Sequence, residues 1–153
     1  MSSLPLAPAP VQHDIVSWLN RFSGFVRDVD YASAYPLFHP QVLAFGTHRD
    51  VIPDLDAWMK SQWDNVWPRT SDFRFVLEDV YVLLSADGTL ATAIAPWIST
   101  GYAVDGTTFE RPGRATMVLQ LVDGRWLCVH SHMSLNRGVP QVSHANRPVK
   151  AWP

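Results

Sequence analysis

The dipeptide Asp-Gly occurs three times in the second half of the chain, as Asp87-Gly88, Asp105-Gly106 and Asp123-Gly124, each time between strand-like runs. Both residues tolerate positive φ, which a two-residue hairpin loop demands. Three such loops predict a four-strand antiparallel meander over residues 72–86, 89–104, 107–122 and 125–135.

The first half carries the helical period instead. Ile15, Trp18, Leu19, Phe22, Phe25, Val26 and Val29 recur at steps of three and four, one face of a first helix. Asp30 is a cap for a short second helix through Ala34 and Tyr35, which Pro36 ends. Residues 42–46, V-L-A-F-G, read as a short strand. A third helix follows Pro53, with Leu55, Trp58, Met59, Trp63, Val66 and Trp67 on its apolar face and Pro68 as its stop. Three helices followed by a long curved sheet make an α+β domain.

At 153 residues the chain has the length of one domain. We divide it into an extended leader at 1–10, the domain at 11–136, and a tail at 137–153 that either lies over a neighbouring subunit or hangs free. A net charge of −2 and no run of Lys or Arg argue against a nucleic acid partner. No window approaches the ~18 uninterrupted apolar residues of a membrane span. A single cysteine, Cys128, and an N-terminus without a secretory pattern lead us to expect a cytoplasmic protein. The chain holds seven Trp, seven Phe and four Tyr. Burying one such ring contributes roughly 4–6 kcal/mol, so a small core needs few of them. The surplus either lines a cavity or fills the core and a subunit interface.

Tight loops fix which residues face each other. Counting back from Asp123-Gly124 pairs Leu121 with Trp126, Leu119 with Cys128, Met117 with His130 and Ala115 with His132, all on one apolar face that we expect to meet the helices. The same count across the other loops sets Asp79, Pro96, Ala115 and His132 in one row, ~14 Å long in a flat sheet and shorter in a curled one. Pro96 and Pro112-Gly113 are the places where a bulge would turn later side chains to the other face. That other face, with Leu127, Val129, Met133 and Leu135 beside Val76, Val80, Val82 and Leu84, is too apolar for water, and a second copy covering it predicts a homodimer.

An imidazole inside an apolar face is a base or a hydrogen-bond donor near neutrality, which makes His132 the first catalytic candidate, His130 the second and Asp79 a carboxyl that shares the proton. The plainer alternative is that the imidazoles bond to main-chain carbonyls and that Asp79 pairs with Arg74 or Arg114. His130-x-His132 with His39 or His48 is a weak metal pattern without an acidic ligand, and we expect no metal. The absence of G-x-S-x-G, G-x-G-x-x-G and G-K-[ST] leads us to expect no cofactor.

The stretch Phe109-Glu110-Arg111-Pro112-Gly113-Arg114-Ala115-Thr116, followed by D-G-R-W-L-C-V-H-S-H-M-S, resembles the closing strands of SnoaL-like proteins of the nuclear transport factor 2 (NTF2-like) superfamily. So do P-L-F-H-P-Q-V-L-A-F-G-T at 36–47 and Q-W-D-N-V-W in the third helix. The resemblance covers residues 12 to 136. It implies a cone-shaped NTF2-like barrel, with three N-terminal helices packed in a strongly curved antiparallel sheet, commonly dimeric, around an apolar cavity. It also implies a choice of functions on one fold. One is a cofactor-independent isomerase, cyclase or dehydratase acting on a hydrophobic cyclic or polyketide-like substrate, within a cone lined by Tyr35, Phe45, Trp63, Trp67, Tyr81, Trp97 and Met117. The other is a non-catalytic ligand-binding or dimerisation module.

Overall fold

Two prolines fix where the first helix begins. In the computed structural model, which describes residues 2–47, 50–150 and 152, Pro8 precedes α1 (Ala9–Asp28) and Pro10 lies in its first turn, where a missing N–H costs nothing. The buried stripe of α1 is Ile15, Trp18, Leu19, Phe22 and Val26, as the periodicity predicts. Asp30 caps α2 (Tyr31–Ala34): its Oδ1 accepts the Ser33 N–H at 3.1 Å. A 3-10 turn carrying Pro36 then leads into β1 (Phe38–Phe45), which starts four residues before the strand expected at 42–46. Pro53 does not open the next helix; it belongs to β2 (Ile52–Pro53), and Asp54 caps α3 (Leu55–Trp58) by accepting the Ala57 N–H at 2.8 Å. From α3 the chain continues through a π-helical turn (Met59–Trp63) into α4 (Asp64–Val66) and a 3-10 turn (Trp67–Arg69).

The rest is sheet. The run expected at 72–86 is broken into β3 (Ser71–Phe75) and β4 (Tyr81–Leu84) by a 3-10 turn at Leu77–Asp79, and both pair with the same side of β5 (Leu90–Tyr102). β6 (Thr108–Val122) and β7 (Arg125–Leu135) complete the meander. The order is β2-β1-β7-β6-β5-β3, with β4 also on β5. β1 runs parallel to β7, so the sheet is mixed and not wholly antiparallel. It curves around the helices as a cone without closing.

Register is where counting from the loops succeeds and then fails. Asp123 and Gly124 both take positive φ, at 49° and 75°, and pairing runs from Val122–Arg125 to Leu119–Cys128 as counted. Val129 is then an extra residue in β7. Val118 therefore faces His130, Met117 faces Ser131 and Thr116 faces His132, so the expected pairs Met117–His130 and Ala115–His132 do not form. At Asp105-Gly106 only the glycine has positive φ, the strands meet again at Tyr102–Thr108, and Pro96 pairs with Arg114 in place of Ala115. The side-chain period of two does the rest. Ser131 is fully buried and Leu135 nearly so, whereas His132 is exposed on the outer face and His130 beside it is half-buried. Val80, Val82 and Leu135, expected outside, are buried.

The inner face of the sheet is built from small residues. Ala91, Ala93 and Ala95 of β5 and Gly113 and Ala115 of β6 are buried there, leaving the depth that Trp18, Phe22, Trp58 and Trp63 of the helices fill. The segments flanking the domain are tied down on both sides. Pro5 and Ala7 bond to Leu84 and Val82 of β4, so the leader is an added edge segment. The tail does not hang free but is bonded to its own chain. Its Lys150 N–H donates to Val29 and its Arg147 guanidinium donates to the carbonyls of Arg27, Trp67 and Thr70. No described helix is long and apolar enough to cross a membrane.

Candidate functional site

Inside the cone the tryptophans of the third helical segment form a floor. Trp63 and Trp67 stack with centroids 4.3 Å apart and planes 17° from parallel, and Trp58 meets Trp63 edge-on at 5.6 Å. Opposite them stands Trp97 of β5, which lies over Gly113: a Cβ there would sit 2.2 Å from the indole. The remaining cavity between these rings is about 30 Å³, room for one water-sized group. Trp63, Trp67 and Trp97 line it.

One residue in this lining has no place in an apolar core. On β6 the inward positions are Phe109, Arg111, Gly113, Ala115, Met117 and Leu119, and Arg111 is only 3 % exposed. Its guanidinium lies 5.5 Å from the centroid of Trp97, and one Nη donates to Thr47 Oγ1 at 3.3 Å. Its Nε is buried without a partner, and among the described residues no carboxylate comes within ion-pair distance. Burial pulls its pKa down to about 10. Thr47 Oγ1 also accepts from Gln62 Nε2 at 3.1 Å, and the position of Gln62 depends on Gly46, where a Cβ would lie 2.2 Å from that side chain.

Arg111, Thr47, Val66 and Thr70 are shared with a second, outer cavity of about 170 Å³. The tail forms its other wall, through Gln141, Val142, Ser143 and His144. Ser143 holds that wall in place, donating to the Arg69 carbonyl and accepting the Tyr102 N–H at 2.8 Å. The two cavities meet at Arg111, at the open end of the cone.

The catalytic candidates lie elsewhere. His130 Nδ1 is 2.7 Å from the Leu43 carbonyl, and His132 packs against the ring of Phe45 at 5.0 Å, both on the outer face. Asp79 is exposed in the turn between β3 and β4. It pairs with neither Pro96 nor His132, so the expected row does not form. Among the proposed lining residues, Met117 is fully buried in the core, while Phe45 and Tyr81 are outer-face residues. Tyr35 donates to Asp56 Oδ1 at 2.7 Å, away from both cavities. His39 accepts the Gln41 N–H through Nδ1, and His48 lies outside the described residues. Sequence reasoning passed over Arg111, although its signal was present: a charge in alternation with Gly113, Ala115, Met117 and Leu119.

Comparison with known proteins agrees with this architecture. The model of the SnoaL-like domain matches residues 15–137. No curated protein matches the sequence. Among solved structures, an NTF2-like superfamily protein from Salmonella enterica is similar with a TM-score of 0.69 and 23 % identity, over 87 % of this chain and 97 % of that one. A ketosteroid isomerase-like protein from Erwinia carotovora atroseptica gives 0.70 and 11 %, over 84 % and 98 %. The association domain of C. elegans CaMKII gives 0.66 and 15 %, over 82 % and 95 %. At these identities the likeness is one of fold.

Proposed function

The chain belongs to the SnoaL-like domain family, and on that premise we propose that it is a binding protein for a small molecule held at the mouth of the cone. The observation that supports this reading most is the outer cavity of about 170 Å³ opening onto a buried guanidinium. Concave sites with an apolar lining and a few convergent polar groups are where ligands bind. The isomerase, cyclase or dehydratase reading draws less support. It needs a base at the cavity, and His130, His132 and Asp79 lie on other surfaces; among the described residues the imidazole lining the mouth is His144 of the tail.

Occupancy is readable without knowing the ligand, because Trp63, Trp67 and Trp97 line the inner cavity. Titrating the full chain with a panel of small acids, amides, alcohols and cyclic ketones should shift the tryptophan emission for at least one class. Denatured-mass analysis of the purified protein should show any tightly held compound released. A panel that leaves both emission and melting temperature unmoved counts against the reading.

A second reading concerns assembly. Across the outer face, Phe45, His132, Thr116, Ile94 and Tyr81 form one cross-strand row, and Tyr81, Ile94 and Phe45 are 63, 43 and 37 % exposed. Leu43 and Ile98 extend this apolar surface. A second copy packed back to back covers it with one self-complementary patch, and the histidines then sit in an interface and not in a cavity. The fold likeness to a CaMKII association domain is in keeping with such a role. Ile94→Glu is expected to convert a dimer to a monomer in sedimentation velocity while leaving the far-ultraviolet circular dichroism unchanged. A wild-type protein that sediments as a monomer at micromolar concentration would refute this reading.

A further inference from the structure

We propose that the ligand of the cone mouth is a small organic carboxylate, seated with its carboxylate on Arg111 and the rest of the molecule in the outer cavity. This rests on the mouth being a binding site, as proposed above, and names what it takes.

A buried unpaired charge is among the most unfavourable groups a fold can hold, and it normally has a counter-ion or neutralises. Arg111 has neither: guanidinium stays protonated at neutral pH, and among the described residues no Asp or Glu lines either cavity. Among the described residues, the cationic groups at the outer cavity are Arg69, Arg111 and, when protonated, His144. The sign of the missing group is therefore negative.

The hydrogen-bond ledger of the inner cavity points the same way. Four lining residues, Arg111, Trp58, Trp63 and Trp97, each carry a buried side-chain N–H without a partner. All four are donors. Thr47 Oγ1 already accepts two bonds, so its own hydrogen is not committed by either. An acceptor-only group, which an ionised carboxylate is, matches this set, and the planar guanidinium suits its two oxygens. Inorganic phosphate is the other acceptor-rich anion, and what favours the carboxylate is the match of its two coplanar oxygens to a single planar guanidinium. The volume, about 170 Å³, lies below the ~300–1,000 Å³ of drug-sized pockets. Acids from acetate to benzoate are the appropriate probes.

The experiment compares the full-length wild type with Arg111→Met in sodium acetate, propionate and benzoate, in the matching amides, and in sodium phosphate, all at one ionic strength. For the wild type, at least one acid at a hundredfold excess over its Kd should raise the melting temperature by about 5–10 °C. The amides and phosphate should not. Arg111→Met should melt at or above the ligand-free wild type and be insensitive to the acids, since a residue held only for structure would destabilise when removed. Amides as effective as acids, phosphate more effective than acids, acids still acting on Arg111→Met, or a folded variant that melts below ligand-free wild type would each overturn the proposal. If the variant does not fold, the comparison of acid with amide on the wild type decides alone. A neutral compound that shifts the tryptophan emission where no acid does leaves the binding reading standing and removes this one; silence from every compound removes both.

Discussion

Trp63→Ala should lower the free energy of unfolding by about 3–5 kcal/mol, the usual cost of truncating a buried large aromatic. Trp63 is 1 % exposed and meets Trp58, Trp67, Phe38 and Tyr31, with ring centroids between 4.3 and 5.8 Å. Deleting it removes the stack on Trp67 and joins the lost ring's volume to the existing cavity. Urea denaturation followed by circular dichroism measures the loss. A second readout separates a vacated space from a general collapse: indole added to the variant should recover part of the lost stability and should do nothing for wild type. A loss under 1 kcal/mol would mean that Trp67 and Phe38 close over the gap, and that the floor is not rigid.

The second large effect is expected at Gly113. A Cβ there would lie 2.2 and 2.3 Å from two atoms of the Trp97 indole and 2.4 Å from the Ser134 carbonyl oxygen. Glycine is required here for close approach, since its φ is not positive. Even Gly113→Ala should cost about 3 kcal/mol, at the upper end of overpacking penalties, and Gly113→Val should leave little folded protein. The clash has two sources with different remedies. Shrinking the ring through Trp97→Ala relieves the first, but the Ser134 oxygen is main chain of the neighbouring strand and cannot withdraw without breaking the β6–β7 ladder. The double variant Trp97→Ala/Gly113→Ala should therefore be no more stable than Gly113→Ala alone. Full recovery in the double variant would show that the ring is the whole obstacle.

Much of this architecture was legible in the chain. The α1 stripe, the Asp30 cap and the Asp123-Gly124 turn follow from local rules that tertiary context did not disturb. So did the inward set of β6, from Ala115 to Leu119. What failed was cumulative. Pairing by count carries every unseen insertion forward, and one extra residue at Val129 was enough to place His130 and His132 outside and Ser131 inside. A bulge of this kind needs no glycine or proline to announce it. Asp79 was lost to the turn at Leu77–Asp79, again a backbone event without a strong local signal. Arg111 was legible but passed over, because a lone arginine in a strand is ordinarily solvent-facing. Only the alternation around it, judged together with the buried partner strands, marks it as enclosed.

The parallel contact between β1 and β7 has a consequence for how the molecule is made. Phe38 lies beside Cys128, so β1, flanked on its other edge only by the two-residue β2, acquires β7 only after roughly 90 further residues have been synthesised. At about 5–20 residues per second, that leaves β1 without its partner for several seconds on the ribosome. The helices and β1 emerge first with nothing to wrap around them. Translation rate and early chaperone capture should therefore influence the yield of soluble protein more than the stability of the finished fold does.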